Sequence, residues 1–158
     1  MLSPLQFESV DLSRLQLLAS SCAAMLSGGD VVFFKASLGA GKTTMVRSML
    51  HALGYQGVVK SPTYGIVECY DVTAEFSVVH CDLYRLQDPE ALYNIGFNDY
   101  IGPDNLILIE WPERCQSALP PASLEVIIDF QQADLRKVLL DAKTESLRKK
   151  LYSTLTAV

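Results

Sequence analysis

Ala36-Ser37-Leu38-Gly39-Ala40-Gly41-Lys42-Thr43-Thr44 lies between an apolar run, Val31 to Phe34, and a helical pattern from Met45 to Leu53. Strand, glycine-rich loop, Lys-Thr and helix in that order form a phosphate-binding loop. Gly39 and Gly41 let the backbone turn so that successive N–H groups point at phosphate oxygens. A helix opening at Lys42 adds unpaired N–H donors and a partial positive charge. Lys42 is placed to reach β- and γ-phosphates and the Thr43 hydroxyl to ligate Mg²⁺. The loop's usual first glycine is Ala36, which fits if its φ stays negative. These residues predict a bound nucleotide.

Two acids compete to complete such a site. Leu106-Ile107-Leu108-Ile109-Glu110 puts a carboxylate at the end of a fully apolar, buried strand, where Mg²⁺ is held or water is oriented. Asp82 ends the less apolar run Val78-Val79-His80-Cys81. Arg85, three residues on, either neutralises transition-state charge or pairs with Asp82. His80 reads as a core or strand-face histidine, because no second ligand lies near it in sequence. Lys60-Ser61-Pro62-Thr63-Tyr64 is either a γ-phosphate-sensing loop or a plain strand entry. Asp99-Tyr100-Ile101-Gly102 matches D-x-x-G, but no N-K-x-D motif accompanies it, so guanine specificity has no support.

The elements that must hold these groups follow from periodicity. Leu5–Val10 predicts an edge strand, and Asp11 or Ser13 caps a helix with apolar residues from Leu12 to Leu26. The phosphate-loop helix stops at Gly54. Ile66–Tyr70 and Phe76–Asp82 predict an antiparallel hairpin, and Asp88-Pro89 starts a short helix. Leu124–Phe130 and Arg136–Ala142 are further strands before a helix from Glu145, with Arg136 near the expected site edge as a further nucleotide-binding candidate. The fold class expected is α/β, a P-loop NTPase domain spanning 1–158 with a mixed sheet and helices on both faces.

With 158 residues, 49% apolar and 20% charged, the chain suits one domain with a real core. A net charge of −5 argues against a free-standing nucleic-acid binder. Neither a membrane-length apolar stretch nor a signal-peptide pattern is present, and the cysteines Cys22, Cys69, Cys81 and Cys115 form no C-x-x-C pair, so a cytoplasmic chain with reduced thiols is expected. A small-molecule kinase would need an arginine-rich lid, whereas the arginines here are singly placed. A nucleotide-gated adaptor without hydrolysis is the other alternative.

Taken together, Leu38-Gly39-Ala40-Gly41-Lys42-Thr43-Thr44, Ser61-Pro62-Thr63-Tyr64, His80-Cys81-Asp82-Leu83-Tyr84-Arg85-Leu86 and Ile109-Glu110-Trp111 resemble the TsaE (YjeE) family in order and spacing over roughly residues 30 to 115. The resemblance implies an ATPase that uses Mg²⁺ and supports the TsaD and TsaB proteins. That complex forms threonylcarbamoyladenosine in tRNA, and the tRNA would be reached only through these partners. It also implies that Lys42 and Thr44 hold phosphates, Thr43 and Glu110 the Mg²⁺ environment, and Asp82 the active centre. Ser61 and Thr63 would act as a switch, and Trp111 would line the site. The family usually has Gly-Asp where this chain has Ala36-Ser37, so an acidic group at the loop's mouth is missing. Gly65 and Cys69 replace commoner residues after Ser-Pro-Thr-Tyr, as packing changes.

Overall fold

Val31–Phe34 and Leu106–Ile109 have no polar residue to turn toward water, and both runs lie inside a seven-stranded sheet. The computed structural model describes residues 2–62 and 66–156. In chain order the elements are β1 (Leu5–Val10), α1 (Leu12–Ala23), β2 (Val31–Ala36), α2 (Lys42–Ala52), β3 (Val67–Asp71), β4 (Ser77–Asp82), α3 (Pro89–Asn94), β5 (Asn105–Glu110), β6 (Leu124–Phe130), β7 (Arg136–Ala142) and α4 (Glu145–Leu155). Short 3₁₀ turns at Phe97–Tyr100, Pro112–Arg114 and Gln116–Ala118 flank β5.

Strand order is β1-β7-β6-β2-β5-β4-β3. β2 runs parallel to both β5 and β6, and β4 is parallel to β5, whereas β3, β7 and β1 join antiparallel at the two sides. Alternation along the central strands divides the core in two. Val32, Phe34, Leu106 and Leu108 face α1, α2 and α4, packing with Leu15, Met45, Met49 and Leu151. Val31, Phe33, Ile107 and Ile109 face Leu92 of α3, Phe97 and Cys115 on the other side. The sheet is mixed and covered on both faces, the α/β architecture expected.

Local signals set the boundaries. Asp11 Oδ1 accepts from the Arg14 N–H at 2.8 Å, which makes Asp11 rather than Ser13 the cap of α1. Asp88 caps α3 in the same way, with Pro89 at its first position. Ile66 has φ 61, which interrupts extended backbone, so β3 starts at Val67, one residue later than the pattern predicts. Among the described residues no helix is long and apolar enough to cross a membrane.

Candidate functional site

Register brings the predicted groups together. Asp82 and Glu110 are partners on the parallel strands β4 and β5, and Glu110 is also level with Phe34 of β2. Both acids therefore leave the carboxyl ends of parallel strands on the sheet face that carries α2. β2 ends at Ala36, which stays in the ladder opposite Ile128 and outside the positive-φ region, so the missing glycine costs the loop nothing. The turn itself falls to Gly39 (φ 77) and Gly41 (φ 119). A Cβ on Gly41 would lie 2.8 Å from Leu15 Cδ2. No side chain caps α2, so its first N–H groups face the cleft without a side-chain acceptor.

Lys42, the first residue of α2, is 6% exposed. Its ammonium donates to the carbonyls of Ala36 (2.7 Å) and Ser37 (3.3 Å) and sits 4.0 Å above the Trp111 ring. Burial pulls the Lys42 pKa below its ordinary value, against the attraction of Glu110, Asp82 and Glu113. Asp82 Oδ1 accepts from the Tyr84 N–H at 3.1 Å. Burial pushes the Asp82 carboxyl up, the Tyr84 N–H opposes this, Glu110 adds to the rise, and His80 and Lys42 oppose it. Trp111 takes a left-handed conformation, φ 58, that ends β5 and turns the indole over Lys42. The Tyr84 ring lies 4.9 Å from Trp111 and carries the Arg114 guanidinium at 5.2 Å on its own face.

These groups enclose a cavity of about 350 Å³, lined by Leu38, Gly39, Gly41, Lys42, Thr43, Thr44, Ser61, Asp82, Tyr84, Arg85, Glu110 and Trp111. Most of the predicted site residues thus meet in one place. Ala40 and Arg136 meet behind it: Ala40 is fully buried, and its carbonyl accepts from Arg136 Nε at 2.5 Å. Arg136 accordingly braces the loop from β7. Thr63 lies outside the described residues, as does Tyr64.

Two participants were not legible beforehand. Tyr84 lines the cleft beside Trp111, and His80 is a fully buried partner of Glu110, Nε2 to Oε2 at 2.6 Å. His80 is a core histidine, as its sequence setting implies, but a core histidine bonded to the site acid. Its spacing of two from Asp82, which places both on one sheet face, is the one signal that pointed there.

Comparison with known proteins gives the family of the chain. A family model described as threonylcarbamoyl adenosine biosynthesis protein TsaE matches residues 9–138. The chain is 47% identical over 114 residues to the tRNA threonylcarbamoyladenosine biosynthesis protein TsaE of Haemophilus influenzae, covering 72% of this chain and 71% of that protein. It is 37% identical over 141 residues to the protein of the same name from Rickettsia felis, covering 89% and 80%. A crystal structure of Bacillus subtilis YdiB superposes with a TM-score of 0.80 at 24% identity, over 99% of this chain and 97% of that one, and shares the fold. A family model matching residues 9–138 and relatives that match most of the chain lead to one assignment: the chain belongs to the TsaE family of threonylcarbamoyladenosine biosynthesis proteins.

Proposed function

We propose that the chain binds Mg·ATP in this cleft and hydrolyses it in the cytoplasm, in support of a TsaD–TsaB complex that modifies tRNA. The observation that carries the reading is the pairing of Asp82 and Glu110 opposite a buried lysine at an uncapped helix N-terminus. An anion is favoured at that terminus by the free N–H groups and the helix dipole. Lys42 exchanges its carbonyl and indole contacts for phosphate oxygens. Leu38, Gly39, Ala40 and Gly41 supply the backbone cradle, Thr44 a phosphate contact, and Trp111 a wall. Ser61 and Thr63 belong to the loop that answers the γ-phosphate.

Mg²⁺ keeps several waters and is held by one or two carboxylates together with substrate phosphates. Among the described residues, one oxygen each of Asp82 and Glu110 is in a hydrogen bond, and the second oxygen of a carboxylate suits that demand. Thr43 and Glu110 would hold the ion, whose contribution is to neutralise charge on the phosphates. Asp82 is the acid left to orient water. A net charge of −5 leaves tRNA contact to the partners.

The test is nucleotide binding and turnover by the purified chain, alone and with TsaD and TsaB. Lys42→Ala should weaken ATP binding at least tenfold, since charge-assisted contacts contribute about 1.5–3 kcal/mol each, and should remove turnover while the fold persists. A folded Lys42→Ala chain with normal affinity and turnover refutes the site. Binding without turnover in the complete mixture leaves a nucleotide-gated adaptor instead.

A further inference from the structure

His80 is level with Leu108, two residues short of the Asp82–Glu110 pair, and reaches along the sheet face to Glu110. It is fully buried. Nε2 is bonded to Oε2, while Nδ1 is buried without a hydrogen-bond partner among the described residues. Nε2 faces a carboxylate oxygen, and two acceptors at that distance would repel, so the contact is a hydrogen bond when Nε2 carries the hydrogen. A hydrogen on Nδ1 would be an orphaned buried donor, which is rare in folded proteins and costly. Nε2 therefore carries the hydrogen and donates it to Oε2, and Nδ1 keeps a lone pair.

We propose that His80 is a positioning residue for Glu110: it ties Oε2 into the sheet and reserves Oε1 for the cleft. The inference rests on the Mg·ATP reading above and concerns one further residue of that site. Asp82 is tethered in the matching way, Oδ1 to the Tyr84 N–H, so two adjacent carboxylates each offer a single oxygen. The tether also has a negative role. Lys42 bonds the carbonyls of Ala36 and Ser37 rather than either acid. A Glu110 released from His80 is free to rotate and claim the ammonium, which would withdraw both groups from phosphate and metal. Partners that orient a ligating group commonly govern metal affinity or activity by about 10–100-fold.

Two variants and one measurement on the unmutated chain test this. His80→Phe fills the space without the donor, and His80→Gln restores an N–H at a similar reach. With ATP held constant, Mg²⁺ is titrated against Trp111 emission, and kcat and KM are measured with the partner proteins present. His80→Phe should raise the Mg²⁺ midpoint and lower kcat by at least tenfold, with melting close to that of the unmutated chain. His80→Gln should recover most of both. A folded His80→Phe chain with an unaltered midpoint overturns the proposal, and so does equal loss in both variants, which marks a packing role. If His80→Phe does not fold, the ¹⁵N shifts of the His80 ring in the unmutated chain decide: protonation at Nε2 supports the tether and protonation at Nδ1 overturns it. An unmutated chain without any response to Mg·ATP removes the functional reading and this inference together. A responsive chain indifferent to His80→Phe removes the inference alone.

Discussion

Asp82→Asn should make the protein more stable and less active at once. Asp82 and Glu110 are partners on neighbouring strands, and such strands lie about 4.8 Å apart. Two unit charges about 5 Å apart at an effective dielectric near 20 repel by roughly 3 kcal/mol. Asp82 is only half-buried and Lys42 offsets part of the repulsion, so the net relief on removing the charge falls to about 1 kcal/mol. Asparagine keeps an oxygen for the Tyr84 N–H, so that hydrogen bond survives. For a domain of this size the melting temperature should rise by about 2–4 °C. The pH dependence has a definite sign. Burial first, and Glu110 in addition, raise the folded pKa of Asp82 above its ordinary value of 3.8. Its contribution to stability is therefore fully present below that value and is lost as pH rises through the folded pKa. The advantage of Asp82→Asn should be seen at neutral pH and shrink as pH falls toward 3.8. Calorimetry at a series of pH values, paired with ATP turnover in the partner complex, reads both effects. A variant that melts several degrees lower at neutral pH would mean that Asp82 is a structural acid, and the electrostatic reasoning would fail.

Gly41→Ala should lower the melting temperature by about 4 °C and weaken nucleotide binding, because a left-handed backbone costs an alanine about 1–2 kcal/mol and its methyl would meet Leu15 at 2.8 Å; an unchanged melt would refute the strain. Trp111 is the only tryptophan, and its ring carries the Lys42 ammonium. Its emission should change on adding Mg·ATP and change less with ADP, with Thr63→Ala reducing the ATP response to the ADP level. Equal responses to the two nucleotides in the unmutated chain would remove the γ-phosphate switch.

What the sequence disclosed of this site was its local part. The loop from Leu38 to Thr44 and the acids at Asp82 and Glu110 announce themselves because each follows an apolar strand directly. β6 and β7 were readable to the residue, since alternation is a local signal, and α4 only by its start near Glu145, while its cap on Thr144 was not read. The partnerships are not local. Whether Asp82 or Glu110 lies nearer the glycine-rich loop depends on the β4–β5 register, which turns out to place them side by side. His80 meets Glu110 across that same register, thirty positions away in the chain, and no spacing rule reaches so far. Arg136 was legible as a residue near the site edge, but its grip on the Ala40 carbonyl behind the loop depends on how β7 lies against the turn. Ile66 misled the strand boundary because its β-branched side chain favours a strand while its backbone turns left-handed.

The central strand has a temporal consequence. β2 leads into the glycine-rich loop, yet Val31 is level with Ile107 and Val32 with Leu124, so both of its neighbours come from far downstream. α1 and α2 can meet early, but β2 gains its ladder only after two long loops of chain have closed, the slow kind of contact in folding. During synthesis the loop residues leave the ribosome well before the strands that make them a cradle. Nucleotide affinity should therefore appear abruptly as β6 docks, and a nascent chain halted before Leu124 should have none.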